Sequence, residues 1–420
     1  MDGVLLALLA AVGIWNAFTY PPDGGYDAAE HLAYARALVE DGSIPGEGAF
    51  YTPPGFYVVA GAATKVGEAL GLEDPERAAQ LVNALLAVGT AALLLVLARL
   101  VFPGRPVLRW SALGFFVCCP LVLKTAAMFH PQTLALFVST AALTFAAWMI
   151  VRRRYDWWAW LGLAALLGAG QLVRSVSIWT FGAVLTAFVV VLVTRPEDRR
   201  PVGRALAVVL VAAIVLPLPW YVHLQRSTGS SIFGRSGTSV PLRDRWPGSF
   251  YVSPGLPDVI THPHRQALPP RFFPVVYTET WGDYFGIWSW GPGRPDLTDA
   301  VNDRLVLQSV VGAPLTAVAF AGWFALVALT LRRLRTRAEL VLLTLMPLAA
   351  ILGTLYYAVR NPTPDGDVVK GLFMLTAVPA WALGFGLVVD AVAARNRTAG
   401  IVLGALLAAC GAVALAFAVA

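Results

Sequence analysis

The sequence holds 420 residues, 58% of them hydrophobic and only 13% charged, where an ordinary soluble domain has about a quarter charged. With a mean hydropathy of +0.67, that composition excludes a water-soluble globular protein and predicts an all-α polytopic membrane protein. The net charge of +6 is no nucleic-acid signal, because the arginines stand in small clusters between apolar runs, as in cytoplasmic loops of membrane proteins.

A helix needs roughly 20 apolar residues to cross the hydrocarbon core. Such runs fall near 3–19, 78–101, 107–126, 132–151, 157–173, 176–194, 203–222, 305–331, 338–357, 371–392 and 399–419, eleven spans in all. Met1–Thr19 has no basic leader and no clean cleavage site, which predicts an uncleaved first span, tilted or preceded by a few further residues. Cys118, Cys119 and Cys410 all lie inside apolar runs, so neither a disulfide framework nor a metal-binding pair is expected.

Orientation follows from the arginines. Arg99/Arg105, Arg152–Arg154, Arg195/Arg199/Arg200, Arg332/Arg333/Arg335/Arg337 and Arg395/Arg397 fall on alternate connections, so all five clusters can be cytoplasmic together. A miscounted span would break that parity. All five histidines then land on the outer side, with most acidic residues; only Asp2, Asp156, Glu197, Asp198, Glu339 and Asp390 stay inside. The chain reads as one integral-membrane domain, 1–420, with two long outer segments at 20–77 and 223–304. Connections of that length are usually functional.

In the first outer loop, Gly24–Gly25 breaks the chain, and Gly42 with Pro45 stops it. A juxtamembrane helix is therefore expected over Asp27–Asp41. Ala28, Leu32, Ala35 and Val39 form an apolar stripe, beside a polar face of Asp27, Glu30, His31 and Tyr34. Such a helix lies along a membrane surface with its carboxylates and imidazole at headgroup depth. Asp27 has two readings here: an N-cap whose capping box Glu30 completes, or a fixed carboxylate used in chemistry. Thr52-Pro53-Pro54-Gly55-Phe56-Tyr57 opens a second short amphipathic helix ending near Gly67.

An acidic residue opening this helix, a Gly fifteen residues on, a Pro, then aromatic-x-Pro-Pro-x-aromatic-Tyr and Lys-x-x-Gly make a recognisable series. In this chain they are Asp27, Gly42, Pro45, Tyr51, Pro53, Pro54, Phe56, Tyr57, Lys65 and Gly67. The series resembles the GT-C superfamily of polyprenyl-phosphate-sugar-dependent glycosyltransferases, in particular its protein-mannosyltransferase and aminoarabinose-transferase branch. Weaker matches follow at Met128–Pro131, Thr278–Gly286 and Asp367–Gly371. One departure stands out: where some branches carry Glu directly after the Asp, this chain has Ala28, and its next acid is Glu30.

The resemblance implies an inverting transfer: an acceptor hydroxyl attacks the anomeric carbon and a polyprenyl phosphate leaves. It makes Asp27 the candidate base, with Glu30 as a second catalytic candidate. His31, Tyr57 and His130 become candidate substrate contacts. Cationic stabilisation of the leaving phosphate has candidates in Lys370, Arg360, Arg174 and Lys124. Lys370 stands out because the chain has only three lysines, although all of these also suit interfacial anchoring. Glu279 and Asp283, among Trp281, Tyr284, Phe285, Trp288 and Trp290, are sugar-contact candidates or members of an aromatic belt. His262-Pro263-His264 lacks a third ligand at metal-site spacing and reads as a solvated loop. No residue set is assigned to a metal, and a divalent cation stays open as an auxiliary. The expected partners are the lipid-linked sugar donor, membrane lipids and an acceptor that is lipid, polysaccharide or protein. Two other readings keep the membrane architecture: a transporter or flippase of lipid-linked envelope precursors, and a non-catalytic lipid-binding assembly subunit. Span centres almost free of charge weigh against transport.

Overall fold

The computed structural model describes residues 1–230, 245–289, 297–363 and 368–420. Its helices are α1 (Asp2–Thr19), α2 (Ala28–Glu40), α3 (Gly55–Ala69), α4 (Arg77–Val101), α5 (Pro106–Val117), α6 (Pro120–Ala127), α7 (Gln132–Arg152), α8 (Trp157–Val173), α9 (Ile178–Thr194), α10 (Arg199–Val215), α11 (Leu218–Thr228), α12 (Gly248–Val252), α13 (Asp258–Thr261), α14 (Phe272–Trp281), α15 (Asp299–Arg333), α16 (Leu340–Arg360), α17 (Val378–Arg395) and α18 (Arg397–Ala416). Short 3₁₀ segments precede α9, α10 and α17, the last of them Gly371–Ala377. No strand occurs among the described residues.

Each of the eleven expected spans has a helical counterpart, with local differences. Nine helical stretches among the described residues are long and apolar enough to cross a membrane. A tenth is broken: α5 and α6 meet at a 50° bend, where 107–126 was expected to run straight. Pro120 is the reason, since it removes an amide donor and disfavours helical backbone at Cys119, which is extended. The eleventh, α8, has 17 residues and is shorter than a full crossing. By contrast α15 has 35, so its first turns project from the bilayer region into what was read as loop.

The basic clusters gather at one end of the bundle. Arg99 and Arg109 both pair with Asp2, at 2.7 and 3.0 Å. Arg105 pairs with Asp390 at 3.3 Å, and Arg153 with Glu197 at 3.0 Å. Arg195 donates to the carbonyls of Ile150 and Thr336, and Arg337 to that of Val101, tying the ends of α4, α7 and α9 to the α15–α16 turn. Asp156 caps α8 through the Ala159 amide. The six acids expected among these arginines thus sit at the same end, neutralising or capping.

The interior is built by close helix approach. A Cβ on Gly322 of α15 would overlap the Gly384 carbonyl of α17, and one on Gly386 would overlap the Leu108 carbonyl of α5. Small residues at such crossings let backbones pack where lipid supplies no hydrophobic drive between helices. With α17 so seated, the 3₁₀ segment leading into it is carried to the end of the bundle opposite the arginines. There it meets α6, α7, α14 and α16.

Candidate functional site

Polar residues of α4 set the floor of that end. Gln80 donates to the carbonyls of Tyr20 (3.1 Å) and Ala127 (2.7 Å), and Asn83 to those of Met128 (3.0 Å) and His130 (3.2 Å). Four orphan carbonyls at the end of α1 and in the α6–α7 break are thereby satisfied. Gln132, opening α7, donates to Leu372 at 2.7 Å and pins the 3₁₀ segment, placing Lys370 at its start. On the other side, Gly55 lets α3 rest against the end of α8, where a Cβ would meet the Leu172 carbonyl at 2.7 Å. Arg174, just beyond α8, then reaches Thr52 Oγ1 at 2.9 Å.

The faces of α2 are not divided as its pattern suggested. His31 and Tyr34, read as part of a polar face at headgroup depth, are buried with Ala28 and Ala35. Gly61 is responsible, because it admits α3 against Val39 and Ala35, and the aromatic face of α3 then covers the polar one of α2. Tyr34 stacks on Tyr57 at 3.8 Å between centroids, and His31 Nδ1 lies 2.7 Å from the Tyr57 hydroxyl. The His31 and His130 rings meet edge to face at 4.8 Å.

Asp27 sits at the N-cap position of α2 without capping it: its side chain accepts no cap hydrogen bond. Its φ of 52° is left-handed, whereas a capping Asp needs extended backbone to turn its carboxylate onto the first-turn amides. The expected capping box is therefore absent, and Glu30 is exposed beside Gly48. The Asp27 carboxylate instead faces Lys370, with Nζ 3.3 Å from Oδ2. Lys370 Nζ also stands 5.1 Å from the centre of the Tyr26 ring.

Burial alone would push the Asp27 carboxyl up, but the Lys370 ammonium, with Arg174 further off, outweighs it and holds the group below the usual carboxylate range. His31 is pushed down to about 3, by burial first and by the Arg174 and Lys370 charges next. His130 is driven well down by burial and by His31. At neutral pH the site therefore holds one ionised carboxylate, two cations and two neutral imidazoles.

Glu279, in α14, is buried against the start of the 3₁₀ segment, with its Cβ 3.0 Å from where a Gly371 side chain would begin. Oε1 accepts the Phe285 amide at 3.2 Å, and Oε2 is buried without a protein partner. Burial, then repulsion from Asp283, pushes its pKa well above the ordinary value of 4.5 and so favours the protonated acid. A folded-state pKa above the unfolded one means the native state holds the extra proton, and stability falls as pH rises beyond the unfolded value. Through Glu279, the midpoint of thermal unfolding of the wild type is expected to fall as pH rises above the ordinary carboxyl value. Glu279→Gln, whose amide reproduces the protonated acid, should show a smaller fall. Equal slopes in the two proteins would mean Glu279 is ionised.

The other candidates divide. Asp283 is buried, and its Oδ2 accepts the Trp288 amide at 2.9 Å and that of Ser289, so it folds the turn. Trp281 donates to Thr316, Tyr284 to the Leu268 carbonyl, and Trp288 stacks on Tyr20 at 4.5 Å. Trp288 thus joins the large loop to the end of α1, while Trp281 is held against α15 and Tyr284 within the large loop. Lys124 is buried and donates to the carbonyls of Glu279 and Gly282, holding the end of α14. Arg360 ends α16. His264 is buried and bonded to Gln266, not solvated, and its ring centre is 6.4 Å from that of His262. Trp290 and Asp367 lie outside the described residues. No group of three or more His, Cys, Asp or Glu among the described residues could hold a metal ion, so no step is assigned to one.

Asp27, His31, Tyr57, His130, Arg174 and Lys370 thus share one neighbourhood, with Glu279 at its edge. Sequence reasoning missed Gln80, Asn83, Thr52 and Gln132. The signal for the α4 pair was present: two amides at i, i+3 in the first turns of an apolar span, where polar side chains must find partners.

No protein-family model matches this sequence, and no curated protein matches it. Solved structures do. ArnT from Cupriavidus metallidurans bound to undecaprenyl phosphate matches with a TM-score of 0.52 and 16% identity over 97% of this chain and 63% of that one. Its apo form gives 0.54 and 17%. The archaeal oligosaccharyltransferase AglB from Archaeoglobus fulgidus, in complex with an inhibitory peptide and a dolichol-phosphate, gives 0.60 and 13% over 99% of this chain and 56% of that one. The chain therefore has the GT-C membrane fold, and it spans less than two thirds of the length of those proteins.

Proposed function

We propose that this chain is an inverting glycosyltransferase that moves a sugar from a polyprenyl-phosphate carrier to an acceptor hydroxyl on the outer face of the plasma membrane. The observation that carries the reading is the Asp27 carboxylate, freed from capping and set beside Lys370, with Arg174 further off. One group there can accept a proton, and two can receive a departing phosphate. Two structures with this fold, by their own descriptions, hold undecaprenyl phosphate and a dolichol-phosphate. A cytoplasmic basic end, as the positive-inside rule asks, supports a site on the outer side.

In the reaction, Asp27 takes the proton of the acceptor hydroxyl as its oxygen bonds to the anomeric carbon. The bond from that carbon to the phosphate oxygen breaks, and polyprenyl phosphate leaves with the electron pair. Lys370 and Arg174 stabilise the charge that collects on it. The acceptor is a lipid, polysaccharide or protein hydroxyl.

Native mass spectrometry of copurifying lipids tests this. A polyprenyl-phosphate sugar retained by Asp27→Asn, but lost from the wild type when acceptor-containing extract is added, is the expected result. Equal loss from both forms would remove Asp27 from the chemistry. If neither form ever holds a polyprenyl lipid, the reading fails and transport moves ahead.

A further inference from the structure

The turn between α7 and α8 reads Arg152-Arg153-Arg154-Tyr155-Asp156-Trp157-Trp158. Arg153 ends α7 with a left-handed backbone, φ 51°. Its guanidinium is tied back to the α9–α10 connection, 3.0 Å from Glu197 and 3.8 Å from Asp198. Asp156 is turned onto the Ala159 amide, capping α8. Arg152 and Arg154 are exposed, and neither guanidinium has a hydrogen bond or ion pair among the described residues. The remaining acids of the basic end are engaged elsewhere, Asp2 with Arg99 and Arg109, Asp390 with Arg105, and Glu339 with Arg337. Two cations of this turn are therefore left without a counter-ion from the protein.

Two further features of the same turn point to lipid. The Trp157 and Trp158 rings pack 4.0 Å apart and are 59% and 68% exposed. Indoles left bare on a membrane protein belong at the boundary between headgroups and acyl chains. In addition, α8 has 17 residues, about 26 Å of helix at 1.5 Å per residue, against a hydrocarbon core of roughly 30 Å. A short span draws its flanking residues inward or thins the bilayer around it. The turn that opens α8 is thus held at the depth of the phosphates. A guanidinium at that depth can grip a phosphodiester through two parallel N–H···O bonds.

We propose that the α7–α8 turn binds an anionic phospholipid of the leaflet at the basic end. Arg152 and Arg154 take its phosphodiester, and Trp157 and Trp158 lie against its glycerol backbone. Nothing in this depends on sugar transfer, which belongs to the opposite end of the bundle. Arg395 and Arg397, in the α17–α18 connection, supply the contrast: they too are exposed and without a partner among the described residues, but no tryptophan stands beside them.

The test is native mass spectrometry of the full chain released from nanodiscs of equal parts phosphatidylglycerol and phosphatidylcholine. The wild type is expected to retain phosphatidylglycerol selectively. Arg152→Gln with Arg154→Gln should lower that preference about 25-fold, each arginine near an anionic surface being worth about fivefold. Arg395→Gln with Arg397→Gln removes the same charge and should keep most of the preference. Equal retention of the two lipids by the wild type, or an equal loss from the two arginine pairs, overturns the site. Trp157→Ser with Trp158→Ser leaves the charge intact and should reduce the phosphatidylglycerol retained; an unchanged amount overturns the indole contact.

Three controls fix the cause. In phosphatidylcholine alone, the Arg152/Arg154 double variant should unfold at the wild-type temperature, and earlier unfolding would reveal protein partners for these side chains and defeat the proposal. Inorganic phosphate should not displace the lipid; displacement would mean that the turn reads free phosphate and not a phospholipid. Lys370→Met should still retain phosphatidylglycerol, and its loss there would place the lipid at the opposite end of the bundle, against the proposal.

Discussion

Asp27→Asn is expected to lower sugar transfer by ~10²–10⁴-fold, the usual contribution of a general base, with almost no loss of fold stability. Asn caps a helix about as well as Asp, so the transfer half, not the stability half, separates this residue from a helix cap. A capping Asp replaced by a residue unable to cap costs helix stability on the order of 1 kcal/mol, but Asp27 makes no cap bond and Asn tolerates the left-handed backbone that Asp27 adopts. Asn also keeps the shape beside Lys370 while removing the negative charge. Single-turnover rates with a synthetic polyprenyl-phosphate sugar, set beside thermal unfolding of both proteins, measure the two halves together. Unfolding shifted down with the transfer rate intact would return Asp27 to a structural role and send the search for a base to Glu30 and Glu279.

Removing Lys370 should act twice. Lys370→Met is expected to weaken binding of polyprenyl phosphate about 10–100-fold, since a charge-assisted hydrogen bond is worth about 1.5–3 kcal/mol. It should also move the acid limb of the kcat/KM profile to higher pH. Burial pushes the Asp27 carboxyl up, and Lys370 is the chief charge holding it down; without the ammonium, more acid remains protonated at a given pH and the base is lost sooner as pH falls. Lys370→Arg keeps the charge, so its acid limb should stay near that of the wild type even if affinity drops. Lipid titrations and pH–rate profiles of the three proteins measure this. An acid limb that stays fixed in Lys370→Met would mean that the group titrating there is not Asp27.

Glu279 and Asp283 show how one motif can hold two different kinds of acid. Both stand in the same aromatic stretch and looked equivalent as sugar contacts. Asp283 is tied by backbone amides into the turn that stacks Trp288 on Tyr20. Glu279, four residues earlier, keeps a buried oxygen without a protein partner at the edge of the Lys370 neighbourhood. Only the path of the backbone after Gly282 separates them, and side-chain type could not reveal it.

The membrane architecture, the order of the spans and the gathering of the arginines at one end were legible in the sequence, because each rests on a local property: apolar run length, or charge next to a run. So was the course of the Asp27 to Gly67 segment, whose glycines and prolines mark where backbone must turn or approach closely. Whether Asp27 caps α2 or faces a lysine 343 residues away was not legible. One φ angle decides it, together with the seating of the 3₁₀ segment by Gln132. The burial of His31 and Tyr34 likewise came from Gly61 admitting α3 onto the polar face of α2. A helix pattern tells which residues share a face; tertiary packing alone decides what covers that face, because the covering element is chosen by contacts distant in the chain.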